Sequence, residues 1–140
     1  MIHVEPFEYQ HVSRMRLQPQ QQADLEYASP KYLQALGLGG PSFTLFEADS
    51  PLLCTGLHLG ADSIGRLWGF FSSDAGPHFV VLYRAARRLL ALYPCPMEAS
   101  VRVGFSPGCR WLSMLGFERL ERLQGFGHDG SDHWRYARST

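Results

Sequence analysis

Between residues 67 and 103 the spacing of apolar side chains changes from two to nearly four and back again, and this constrains the fold more than any other feature. Leu67, Trp68, Phe70 and Phe71 make a short apolar run of strand type. Phe79, Leu82, Tyr83, Ala86, Leu89, Leu90 and Tyr93 then recur at i, i+3, i+4 and i+7, with Arg84, Arg87 and Arg88 off that stripe. The pattern predicts an amphipathic helix, which Pro94 and Pro96 stop. Met97, Ala99, Val101 and Val103 alternate with Glu98, Ser100 and Arg102, as in a half-buried strand. Strand, helix and strand in this order predict a right-handed parallel crossover.

The flanking segments complete the layout. Ile2, Val4 and Phe7 suggest a first strand within residues 1–8. The glutamine-rich stretch 11–27 reads as two short helical pieces, because Pro19 interrupts it. Ser29-Pro30 opens a further helix carrying Tyr32, Leu33, Ala35 and Leu36, and the glycines of 37–40 end it. Phe43, Leu45 and Phe46 form a strand, residues 47–51 a turn, and 52–59 its hairpin partner; residues 62–65 turn into the run at Leu67. Ser106-Pro107 starts a last helix with Trp111, Leu112 and Leu115, closed by Gly116, and strands are expected at 117–124 and 133–138. The expected fold is α+β, in three layers of α/β type, with a mixed, mostly antiparallel sheet of six to seven strands and helices on both faces. No repeat or linker divides residues 1–140, so one domain is expected.

Thirteen basic and thirteen acidic residues cancel, which argues against a nucleic-acid or membrane-surface partner. Cys54, Cys95 and Cys109 form no C-x-x-C pair, and their odd number argues against a disulfide framework. No apolar run approaches the roughly 20 residues of a membrane span. Met1-Ile2-His3-Val4-Glu5 lacks the basic start of a signal peptide, so a cytoplasmic location is expected.

The chemistry is expected at Ser72, Ser73, Asp74, Ala75, Gly76, Pro77, His78 and Phe79, where a strand runs into the strongest helix. Unpaired N–H groups and the helix dipole at such a start suit an anion such as pyrophosphate. Capping of those groups by Ser73 or Asp74 is the competing reading, and Asp74 repels phosphate unless it turns away. Downstream, residues 103–118 read strand, short helix and then Leu115-Gly116-Phe117-Glu118.

With its order of elements, this ending resembles the GNAT superfamily of acyl-CoA-dependent N-acetyltransferases. It is also similar to GNAT-related proteins of tailed phages, including an internal virion protein, through the Asp-Ala-Gly turn, the arginine-rich helix, Arg110 beside Trp111, Leu-Gly-Phe, Asp129-Gly130 and Tyr136. The resemblance implies acetyl-CoA as co-substrate, an unidentified amine or host protein as acceptor, and a pantetheine arm lying against the backbone of Phe70, Phe71 and Ser72. It implies a bacterial cytoplasmic or virion setting, and it permits a homodimer. The family's phosphate loop, Q/R-x-x-G-x-G/A, is matched only at Gly76; Ser73 and His78 occupy its first and last positions. Phe105 and Leu112 stand where the family often has asparagine and the tyrosine acid. Arg110, a phosphate or carboxylate contact, and His128, a base reaching over from the late turn, are the catalytic candidates. The cluster of His128, Asp129 and His133 fits no metal spacing, so no metal is expected. The alternative reading is a GNAT-fold protein without catalysis, serving as a virion component or host-protein binder.

Overall fold

The strand, helix and parallel strand expected over residues 67–103 are present. In the computed structural model, which describes residues 1–25 and 28–139, strand β4 (Gly65–Phe71) leads through a 3-10 turn (Gly76–His78) into helix α4 (Phe79–Leu90) and on to β5 (Met97–Arg102). The two strands are parallel, paired at Gly65↔Met97 and Arg66↔Glu98. Before them come β1 (Ile2–Pro6), α1 (Gln10–Ser13), α2 (Pro19–Leu25), α3 (Pro30–Leu38), β2 (Ser42–Glu47) and β3 (Ser50–Leu59); after them come α5 (Ser106–Met114), β6 (Glu118–Leu123) and β7 (His133–Arg138). One seven-stranded sheet results, in the order β1-β2-β3-β4-β5-β7-β6, with every neighbouring pair antiparallel except β4 and β5. The last hairpin inserts β7 between β5 and β6.

Local chemistry explains the boundaries. Pro19 begins α2, as a residue without an N–H can, and the end of the expected helical stretch at Tyr27 lies outside the described residues. Ser29 caps α3 by accepting from Tyr32 N–H at 3.1 Å. The turn expected over 47–51 is tighter: Ala48 and Asp49 alone join β2 to β3, with Ala48 at a positive φ of 52°. Gly116 ends α5 at φ 91°, and Phe117 N–H reaches back to Leu112 C=O at 2.9 Å. This 6→1 closure requires a left-handed residue, and it turns Phe117 into the core.

The two sheet faces carry different layers. On one, α4 and α5 pack Leu82, Ala86, Leu90, Trp111 and Leu112 against Leu53, Leu57, Phe71 and Val101. On the other, α1 to α3 cover a smaller cluster of Val12, Met15, Leu17, Leu33, Cys54 and Phe70. Burial pushes the Cys54 thiol up to about 12, so it packs as a small hydrophobe. No described helix is long and apolar enough to cross a membrane.

Candidate active site

Beyond Arg66 and Glu98 the parallel strands part, and a cavity of about 250 Å³ opens between them. It reaches both faces of the sheet. Towards α4 and α5 its wall is apolar: Leu67, Phe71, Val101, Phe105, Trp111 and Leu112. The Trp111 ring meets Phe71 and Phe79 edge-on, at centroid distances of 5.0 and 5.6 Å. Towards α2 and α3 the wall holds Gln21, Asp24, Tyr32, Trp68, Arg102 and His133, with Phe126 and His128 from the β6–β7 turn.

The edge of β4 that faces this opening is engaged by the chain itself. Phe71 N–H donates to Gln21 Oε1 at 2.6 Å, and Gln21 Nε2 donates to Gly69 C=O at 2.8 Å. Gln18 N–H donates to Phe71 C=O at 3.3 Å, and Ser73 N–H donates to Arg16 C=O at 2.7 Å. Ser72 N–H points the opposite way, to Leu52 C=O of β3 at 2.9 Å. Of Phe70, Phe71 and Ser72, only Phe71 therefore turns its backbone towards the opening, because N–H directions alternate along a strand.

Several amides of the following loop close on themselves. Asp74 N–H donates to Ser72 Oγ at 3.0 Å, Ala75 N–H to Ser72 C=O at 3.1 Å and His78 N–H to Ala75 C=O at 2.9 Å, while Pro77 has none. The Asp74 carboxylate turns to Arg16 Nη2 at 3.1 Å, and Arg16 Nε donates to Ser73 Oγ at 3.1 Å. No side chain caps α4 at His78. A Cβ added at Gly76 would meet nothing within 4 Å, so the loop has open space beside it.

The polar wall is organised by Arg102. One of its terminal nitrogens donates to Asp24 and the other to Asp129, both at 2.9 Å. Ser131 and Arg102 hold the Asp129 carboxyl well below the usual carboxylate range. His133, only 8% exposed, lies beside them, and burial pushes its imidazole below the ordinary value. Gly127 must be glycine for this packing: a Cβ there would lie 2.4 Å from Ser131 Oγ and 2.9 Å from His133 Nε2. Among the described residues, Trp68 Nε1, Arg102 Nε and His133 Nδ1 are buried without a hydrogen-bond partner. Three orphaned nitrogens on residues of one cavity mark it as a place where a polar ligand would gain contacts.

Of the residues expected from sequence, Phe70, Phe71 and His128 line this cavity, and the loop 72–79 lies beyond the end of β4. Arg110 is exposed on α5 and is not part of the lining. Gln21, Asp24 and Arg102 are additions from the structure. Gln21 sits in a run of glutamines with no motif to single it out, and Arg102 occupies a polar slot of an alternating strand.

A mixed seven-stranded sheet with its one parallel pair splayed around a cavity is a specific arrangement. The fold is that of the GNAT acetyltransferases. Ard1 from Thermoplasma volcanium superposes with a TM-score of 0.77 at 17% identity, covering 98% of this chain and 96% of that one. A GNAT-family acetyltransferase from Bacillus anthracis gives 0.66 at 11%, over 99% and 94%. A chain of the NatC complex, solved bound to Gag peptide and CoA, gives 0.69 at 13%, over 99% and 98%. No protein-family model matches the sequence, and no curated protein matches it.

Proposed function

We propose that the chain is an acetyl-CoA-dependent N-acetyltransferase acting on an amine, and the observation that carries this is the splayed β4–β5 pair with its cavity open to both faces. Bound acetyl-CoA would supply an activated thioester. The loop 72–79 would take the pyrophosphate where Gly76 leaves room, with Arg16 offsetting the charge of Asp74 beside it. Phe71 would offer its backbone to the arm, and Trp111 would wall the slot. The acceptor would enter on the opposite face, along the polar wall of Tyr32, Arg102 and His133. His133, kept neutral by burial, is better suited than exposed His128 to accept the proton an amine must lose. As the C–N bond forms and the C–S bond breaks, that proton leaves nitrogen and the thiolate gains one. Phe105 and Leu112 are buried in the wall and supply no acid, so positioning would carry the rate.

A second reading is favoured by one specific observation: Gln21 and Gln18 already engage the Phe71 backbone. On that reading the protein is a phage-encoded GNAT-fold component of a virion, or a binder of a host protein, without catalysis. Titration calorimetry with acetyl-CoA separates the two. The transferase reading expects saturable binding that Gly76→Glu abolishes, by setting a carboxylate against the pyrophosphate. Absence of heat at millimolar ligand leaves the non-catalytic reading.

A further inference from the structure

We propose that α2 is a displaceable strap across the cleft, with the Gln21 carboxamide keeping the place of a ligand amide on the free edge of β4. The inference rests on the transferase reading and adds a step to it: α2 withdraws before the acyl carrier seats.

The chemistry of the contact supports this. Phe71 N–H and Gly69 C=O face the cavity from alternate residues of β4, as one donor and one acceptor awaiting a neighbouring strand. The single carboxamide of Gln21 satisfies both, at 2.6 and 2.8 Å, and is nine-tenths buried in doing so. An extended ligand carrying secondary amides offers the same two groups. Coenzyme A has two such amides in its arm, so it and Gln21 compete for one pair of backbone groups.

The attachment of α2 shows why it can yield. Gln21 is the one buried residue in this seven-residue helix. At its other end, Asp24 reaches across to Arg102 of β5 at 2.9 Å, so the helix is pinned to both lips of the cleft by polar contacts, with the half-buried Leu25 as its contact to the apolar cluster. A helix of this length has little stability of its own. Arg102 keeps Asp129 as a partner when Asp24 leaves, so withdrawal strands no buried guanidinium.

A closed strap lowers the apparent affinity for ligand by the factor that it costs to open. Two amide hydrogen bonds set that factor at about 5- to 100-fold. The test uses coenzyme A as probe. Gln21→Ala is expected to tighten its Kd at least about fivefold; an unchanged or weakened Kd overturns the proposal. Should this variant fail to fold, hydrogen exchange on the unaltered protein decides. Saturating coenzyme A should speed exchange across residues 19–25 while the Phe71 amide stays protected. Unchanged or slower exchange in α2, with coenzyme A bound, overturns the strap and leaves the transferase reading standing. No binding by either protein overturns the transferase reading and the strap with it.

Discussion

Helices α2 and α4 flank the same strand and are held to it by opposite chemistry. Helix α4 presents Leu82, Ala86 and Leu90 to a continuous apolar layer and keeps its arginines outside. Helix α2 buries a glutamine, reaches for an arginine and adds only the half-buried Leu25 to the apolar cluster beneath it. Apolar burial is worth most where nothing has to move, whereas a polar contact can be exchanged for another at little net cost. The fold therefore places its fixed layer on the α4–α5 face and its exchangeable contacts on the α2 face, where the cavity is polar.

The largest effect is expected in the apolar layer. Replacing Leu82, fully buried on the inner face of α4, by alanine should cost about 2–5 kcal/mol of stability, measured by urea unfolding; a loss below about 1 kcal/mol would mean that this layer is not the anchor. Next, Gly127→Ala forces a methyl to within 3.0 Å of the Ser131 and His133 side chains and the Asp129 carboxylate. It should lower stability by about 1–3 kcal/mol and disorder the polar wall while sparing α4, as site-resolved hydrogen exchange would show.

The third test is pH. His133 has its proton affinity lowered by burial, among Asp24, Arg102, Asp129 and Asp132. With the folded value below the ordinary 6.5, the unfolded chain binds the proton first. Stability present above that ordinary value is then lost as pH falls towards the folded one. His133→Gln should flatten the fall between pH 7 and 5; buried His11, shifted the same way, should supply the remainder. The smallest effect is salt. One molar sodium chloride should speed amide exchange in α2, because its Asp24–Arg102 pin is partly exposed, and leave α4 unchanged.

The fold was largely legible because apolar periodicity reports directly on which face is buried. The stripe from Phe79 and the alternation from Met97 place α4 and β5, and Leu-Gly-Phe marks the 6→1 closure of α5. The β2–β3 turn was harder, since Ala48 gives no glycine signal for its positive φ. The site was less legible. Splaying depends on strands ceasing to pair, which leaves no mark on either strand's own pattern. Gln21 contacts residues 48 and 50 positions away, and Asp24 meets Arg102 across 78. Polar residues matched at such separations have no period to betray them.

The gap between β4 and β5 is the proposed seat of acetyl-CoA. Following backbone amide resonances during an acetyl-CoA titration tests it most directly. Saturable shifts are expected, concentrated at Gly69, Phe71, the loop 72–79 and residues 19–25. Shifts that are absent, or scattered over the distant β1–β2 edge, would contradict it.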